Sequence, residues 1–383
     1  MQRADTVVVG GGIIGLAVAF ALSQRGQRVT VLEAERIGKR AAAGVAAGML
    51  APASEADLSD SRLTRLALAS HALYAQWVDT VERASGLPTG FDRTGTLFVA
   101  LHADHLALLE HLEHFQRERG IESERLSGAR LRQIEPLLAP GVAGGLHLRE
   151  DWQVDPRLLL RALHAALTAA GSAVIEQTAV RCVAPAAGGY TVDAEHAGEA
   201  VRFEGSRVVM TAGAWTRRID SPLAGLPLLA SLPVRPVKGQ ILRLRGERLI
   251  GHIVRTPDVY MVPRGDGELV VGATMEEQGF DRRSTAGAVY ELLRHARAVL
   301  PGITELELAE CNVGFRPALR DHLPAIGATA EPNLFVAVGH FRNGVELAPI
   351  TAELLAGLIC EGRTDPLLDE LSPLRFETVA VGA

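Results

Sequence analysis

Gly10, Gly12 and Gly15 stand in the order G-x-G-x-x-G, between a Val-rich run at 6–10 and an Ala- and Leu-rich run at 13–25. A strand that turns on glycine into a helix is suited to holding a dinucleotide. Gly10 permits the tight turn, and Gly12 lets a pyrophosphate reach the backbone. Gly15 lets the helix lie close to the strand, and Ala19, one turn on, serves the same end. The helix N-terminus offers unpaired N–H groups and the positive end of its dipole to the phosphates. Glu33 closes the next apolar run. Its carboxylate can accept from both hydroxyls of an adenosine ribose and would repel a 2′-phosphate, which argues against NADP. Three glycines alone could be a turn without a ligand. Strand, helix, Ala19 and Glu33 in register argue otherwise.

Two further stretches bear on which dinucleotide is held. Residues 41–50 read AAAGVAAGML, too small to fill a core but able to bring backbone against a large flat ligand. That suits a flavin better than a nicotinamide, although the stretch taken alone could be a flexible loop. Residues 338–345 read VGHFRNGV. Gly339 follows a strand and Gly344 precedes a helix, so N–H groups converge where the negative N1–C2=O edge of a reduced flavin would lie. Taken alone, this stretch could be an ordinary βα connection.

The elements that must position these residues follow from periodicity. Strands are expected at 6–10, 28–33 and 96–101, and helices at 13–25, 57–85, 103–119 and 155–170, the last with Asp155 as N-cap and Pro156 in its first turn. Strands then dominate: 174–183, 189–193, 201–203 and 207–211, followed by 240–244, 259–263 and 268–273 as an antiparallel set turning at Arg264–Gly267. A helix at 290–299, a strand at 334–338 and a helix from 345 to 360 complete the chain. A cradle that opens the chain and a strand–Gly–helix unit that closes it are more typical of flavoproteins than of simple NAD dehydrogenases, by analogy of fold.

Together GGGIIG, AAGML (46–50), RPVKGQ (235–240), YMVPR (260–264), LVVGATME (269–276), GFRPALRDHLPAIG (314–327) and GHFRNGVELAP (339–349) resemble the D-amino-acid-oxidase-like family of FAD-dependent oxidoreductases. Within that family they resemble its glycine-oxidising branch, which is linked to thiamine thiazole synthesis. The resemblance implies an α/β fold: a Rossmann-like, glutathione-reductase-type FAD-binding domain from 1–88, 145–225 and 310–383, and an antiparallel-sheet substrate domain from 89–144 and 226–309. It implies non-covalent FAD, held by Gly10, Gly12, Ile13, Ile14 and Gly15 in the cradle and by Glu33 and Ala34 at the ribose. Ala41, Ala42, Ala47, Gly48 and Met49 would line the flavin, with Val180 meeting the adenine through its backbone and Gly213 also in contact. His340, Phe341, Arg342, Asn343, Gly344, Val345 and Glu346 would cover the pyrimidine end. Arg316 matches the arginine that grips the substrate carboxylate and Tyr260 the tyrosine beside it, while Met275 and Arg342 match pocket residues. Asp258 stands where a histidine can occur.

The implied reaction is oxidative deamination of glycine, sarcosine and small D-amino acids to a 2-oxo acid, ammonia or amine, and hydrogen peroxide, with molecular oxygen as acceptor. Arg suits the anchoring role because its planar fork matches two carboxylate oxygens. Arg316 alone could be a surface ion pair, Tyr260 a packed strand aromatic, and Met275 and His340 structural residues. A D-amino-acid dehydrogenase passing electrons to a quinone is the first competing reading, yet no docking segment for a membrane is evident. A non-catalytic FAD-binding subunit is the second, and Arg316 with Tyr260 argues against it.

Composition sets the outer bounds. At 383 residues, 48% hydrophobic and 22% charged, the chain reads as an ordinary soluble protein of two domains or of one with insertions. A net charge of −6 with no basic run makes nucleic acid an unsuitable partner. Cys182, Cys311 and Cys360 are far apart and form no metal or disulfide pattern, which fits a reducing cytoplasm. No apolar run is long enough to span a membrane. His102, His105, His111 and His114 mimic a metal pattern, but no cysteine or ordered partner accompanies them. They read as a solvated helix face, so no metal is expected. A homo-oligomer, a tetramer by family resemblance, is expected.

Overall fold

The computed structural model describes residues 3–55, 61–221 and 232–379. Its first strand, Arg3–Val9, carries Val7, Val8 and Val9, all buried. Branched side chains on both faces of a strand need cover on both faces, as in a parallel sheet flanked by helices. Arg3–Val9 accordingly pairs in parallel with Val29–Leu32 on one side and Glu199–Met210 on the other. The sheet runs Ala325–Ala328, Leu334–Val338, Glu199–Met210, Arg3–Val9, Val29–Leu32, Ala173–Ile175, with Thr178–Ala186 and Gly189–His196 attached through Glu199–Met210. The helices Ile13–Ser23, Ser61–Ser85, Pro156–Ala169 and Ala348–Glu361 share one apolar core over this sheet. Pro156–Ala169 starts as anticipated, with the Asp155 carboxylate accepting from the N–H groups of Arg157 and Leu158.

A second sheet runs Glu307–Ala318, Arg235–Arg245, Glu268–Gly272, Tyr260–Pro263, Ile253–Arg255, Thr96–Ala100, Gly144–Leu148, Glu124–Ser127. It is antiparallel except where Ile253–Arg255 meets Thr96–Ala100. A short ribbon joins Met49–Leu50 to Trp152–Gln153. The mixed α/β architecture with a Rossmann-like cradle is the expected one. Among the described residues no helix is long and apolar enough to cross a membrane.

Several expected elements differ. The separate strands at 201–203 and 207–211 are one strand, Glu199–Met210, because Gly205 pairs on both sides, with Ala4 and with Tyr190. A Cβ on Gly205 would stand 2.8 Å from Val7 Cγ2, so the crossing needs glycine. The strand at 174–183 is two, Ala173–Ile175 and Thr178–Ala186, parted at Gln177, which adopts a left-handed φ of 53°. The closing helix begins at Ala348 rather than 345; the long helix is described over Ser61–Ser85, and the first part of the expected 57–85 span lies outside the described residues. The strands Gly144–Leu148 and Glu307–Ala318 belong to the second sheet. A strand's partner lies far away in sequence, and local periodicity carries no record of it.

Candidate active site

A cavity of about 720 Å³ runs from the glycine turn to Arg316. At the turn, Gly10 has φ +108°, and a Cβ there would come within 2.7 Å of the Thr211 carbonyl oxygen. A Cβ on Gly15 would collide with the Gly10 carbonyl, so this helix can approach its strand only with glycine at that position. Over Gly12 there is room: its Cβ would find only Ala41 Cβ, at 3.9 Å. No side chain caps the helix and no acid occupies its first turn. Its leading N–H groups therefore suit a phosphate. Glu33 lines the cavity, but it also braces the turn: Oε2 accepts from Gly11 N at 2.7 Å and Oε1 from Glu35 N at 3.0 Å. Burial raises its pKa, and those two N–H groups act to lower it.

Past the turn, Ala42–Val45 forms one helical turn, followed by Ala46, Ala47 and Gly48. Gly48 has φ +75°, and a side chain there would strike the Val154 carbonyl. Beneath this wall lies a buried cation the sequence reading passed over. Arg264 donates through Nη1 to Gln153 Oε1 at 2.7 Å and to Val154 O at 3.1 Å, and through Nη2 to the Ala47 carbonyl. On the opposite side stand Gly339, His340, Phe341, Arg342, Gly344 and Val345. His340 is buried with Nε2 3.0 Å from Thr351 Oγ1, and burial pushes its pKa down to about 3, so the ring is neutral.

Of the residues expected to hold FAD or substrate, Gly15, Asn343 and Glu346 do not line the cavity; the others do. Asn343 and Glu346 stand one layer behind. Asn343 Nδ2 donates to Glu346 Oε2 at 3.1 Å, and Glu346 Oε1 accepts from Ala51 N at 3.0 Å, tying the closing helix to the wall after Met49. Burial, with Glu55 and Asp151 adding negative charge nearby, pushes the Glu346 carboxyl up to about 8.

The far end of the cavity is charged. Arg316, on Glu307–Ala318, sends Nη1 to the Thr274 carbonyl at 3.0 Å and towards Lys238 O at 3.5 Å. The guanidinium lies directly over Gly239, where any Cβ would overlap it. Tyr260 lies over Gly272 in the same manner. Burial lowers the Arg316 pKa, and the neighbouring Tyr260 and Glu55 work to raise it again. Burial raises Tyr260, keeping its hydroxyl protonated. Glu55 lines the cavity with Oε1 3.4 Å from Arg255 Nη1 and 3.5 Å from Arg342 Nη2. Burial works to raise the Glu55 pKa, but Arg342 and Arg255 overcome it and hold the carboxylate ionised. Met275 is at the rim, 64% exposed. Glu55 and Arg255 were not foreseen; they are far apart in sequence, and nothing local to either signals the pairing.

The histidine pattern resolves largely as a helix face. His102, His111 and His114 are exposed, whereas His105 is buried with Nε2 3.3 Å from Asp258 Oδ2, because Ala103–Glu118 turns that side towards the second sheet. Among the described residues no three potential metal ligands converge.

A glycine cradle, a small-residue wall and a half-buried guanidinium lining one cavity define a flavin-type dinucleotide enzyme site. The chain belongs to the FAD dependent oxidoreductase family, whose model matches residues 5–358. It is 34% identical to glycine oxidase from Geobacillus kaustophilus over 94% of this chain and 93% of that protein. It is also 34% identical to the bifunctional protein ThiO/ThiG of Synechocystis, over 98% of this chain but only 54% of that one. The chain thus spans about half the length of the bifunctional relatives it matches. The crystal structure of glycine oxidase from Geobacillus kaustophilus superposes with a TM-score of 0.89 at 33% identity, covering 98% and 99% of the two chains.

Proposed function

We propose that this chain is an FAD-dependent oxidase of glycine and other small amines, sarcosine and small D-amino acids among them. The observation that carries the reading is the Arg316 guanidinium, half-buried beside Tyr260 and lining the same cavity as a dinucleotide cradle. Bound FAD would supply the acceptor for a hydride from the substrate α-carbon, with oxygen as the final electron acceptor. The chain's residues position the reactants. Gly12, Ile13 and Ile14 present N–H groups to phosphate, and Ala41, Ala42, Ala47, Gly48 and Met49 leave room for a flat ring. Val180, Glu33 and Ala34 border the adenosine end, His340, Phe341, Arg342, Gly344 and Val345 the pyrimidine edge, and Gly213 lines the same cavity.

Arg316 takes the substrate carboxylate in a two-pronged contact, and Tyr260 donates a further hydrogen bond. Nη1 is already engaged by Thr274 O, so the fork is fixed before substrate arrives. Glu55 neutralises part of the positive charge of Arg255 and Arg342. The remaining positive field favours an anion, and the walls exclude water from the α-carbon. An amine that enters neutral needs no general base. A role in supplying thiamine thiazole synthesis, a cytoplasmic location and assembly as a homotetramer belong to the same proposal; their support is the resemblance to the bifunctional ThiO/ThiG proteins and to the glycine oxidases.

The test is anaerobic mixing of the flavin-loaded protein with glycine, sarcosine or D-alanine. Bleaching of the visible flavin band, followed by hydrogen peroxide on readmission of air, is the expected result. No bleaching with any of the three would refute the oxidase reading. Bleaching without peroxide would favour a dehydrogenase passing electrons to a quinone.

A further inference from the structure

The chain has two lysines, Lys39 and Lys238, among 39 basic residues. Lys238 is wholly buried, at 1% exposure. It lies on Arg235–Arg245, one residue before the Gly239 that makes room for Arg316. Alternation along the strand turns Gly239 and Ile241 to the cavity and sends Lys238 and Gln240 to the other face. That face is covered by the irregular segment between Gly272 and Ala286. Lys238 Nζ donates to the Arg283 carbonyl at 2.8 Å and stands 3.5 Å from Asp281 and 3.7 Å from Glu276. Gln240 bonds the same segment: Nε2 to Glu276 Oε1 at 2.8 Å, and Oε1 from Thr285 N at 2.9 Å. Backbone bonds between Lys238 and Glu276, 2.9 Å in each direction, complete the clamp.

The clamped segment, a strap, carries two groups at the site. The Thr274 carbonyl accepts from Arg316 Nη1 at 3.0 Å, and Met275 stands at the cavity rim. The strap is pinned a second time by Phe280, whose ring lies 5.3 Å from Phe315 and 5.4 Å from Trp215, both cavity-lining, with Arg218 4.0 Å over it. Long irregular segments within a domain are uncommon and usually functional. Here a single buried ammonium meets three acceptors of the strap, and the strap's Thr274 carbonyl, together with the Lys238 carbonyl at 3.5 Å, meets the guanidinium that faces the cavity.

We propose that Lys238 is a positioning residue for the carboxylate anchor: it locks the 273–285 strap, and the strap's Thr274 carbonyl holds the Arg316 fork in the orientation that receives a carboxylate. The proposal rests on the anchor assignment above but not on which amine is oxidised. Removing the ammonium loosens the strap, and Arg316 loses a fixed partner while keeping its charge and its place in the strand. Binding of a carboxylate therefore weakens, and the dinucleotide cradle, on the other sheet, is untouched.

The experiment is titration of the flavin-loaded protein with acetate, read as a perturbation of the flavin absorbance, in wild type, Lys238→Met and Phe280→Ala. Lys238→Met keeps the aliphatic stem and removes the charge; Phe280→Ala releases the other pin without touching Lys238. Both variants should keep full FAD occupancy and raise the acetate Kd about tenfold or more. With glycine, KM should rise by the same factor while kcat falls by less than about threefold. A general loss of structure would instead strip FAD and lower kcat together with affinity. A wild-type acetate Kd in a flavin-loaded Lys238→Met protein overturns the proposal, as does a wild-type Kd in Phe280→Ala should Lys238→Met fail to fold. If wild type itself shows no response to acetate or to any other carboxylate, the anchor reading falls, and this inference with it.

Discussion

At the scale of single residues, the candidate site is a contest between desolvation and charge. Arg316, Arg255 and Arg342 converge on a cavity wall where burial disfavours the charges of Arg316 and Arg255, and the Glu55 carboxylate lies among them. Replacement of Arg316 by Ala should raise the glycine KM and the acetate Kd about a hundredfold, with FAD still bound, since a charge-assisted two-pronged contact contributes roughly 3 kcal/mol. Unchanged affinity would remove Arg316 from the anchoring role. Tyr260→Phe deletes one hydrogen bond while keeping the ring over Gly272. Its expected cost is about tenfold in kcat/KM, near the 1.4 kcal/mol typical of a single lost bond. Steady-state kinetics with glycine measures it.

At the scale of elements, glycines on strands decide where these side chains can lie. Gly239 and Gly272 fall within RPVKGQ and LVVGATME, yet nothing in those motifs says that each is the floor beneath a site side chain. A Cβ on Gly239 would overlap the Arg316 guanidinium, and one on Gly272 the Tyr260 hydroxyl. Gly239→Ala and Gly272→Ala should therefore mimic the loss of anchor and tyrosine without touching either. Each should raise the glycine KM by about tenfold or more, with the flavin spectrum and FAD content of wild type. Normal kinetics in both would show that the side chains move aside freely. Gly15→Ala acts on a different element. It forces the helix Ile13–Ser23 away from its strand, and the measured outcome should be loss of bound FAD or of soluble protein.

At the scale of the whole molecule, the carboxylates buried behind the cavity wall link folding to pH. Glu346 is raised from 4.5 to about 8. A carboxyl with a raised pKa is protonated when folded and ionised when unfolded, so the unfolded state binds fewer protons between those values. Its contribution to stability is complete below pH 4.5 and is lost as pH rises towards 8. Asp151, raised to about 6 by burial, acts in the same direction over a lower window. Glu346→Gln removes the ionisable group while keeping the shape. Its melting temperature should exceed that of wild type by about 3 °C or more at pH 8, and match it near pH 5. A variant with the wild-type pH dependence would show that Glu346 is not the group responsible.

What the amino-acid order determined by itself was local. The turn at Gly10–Gly15, the Asp155 cap and the alternation of the strands depend on neighbours within a few residues, and there the periodicity and the glycine positions were sufficient. Glu33 was also legible as a cavity residue, though not its brace on Gly11. Tertiary structure decided everything that joins distant segments: the continuous strand through Gly205, the enrolment of Gly144–Leu148 and Glu307–Ala318 in one sheet, Arg264 under Ala47, Glu55 between Arg255 and Arg342, and Lys238 under its strap. The physical reason is common to all of these. A hydrogen bond or ion pair between groups far apart along the chain leaves no periodic trace in either segment, and a buried charge declares its partner only once the sheet has brought the two together.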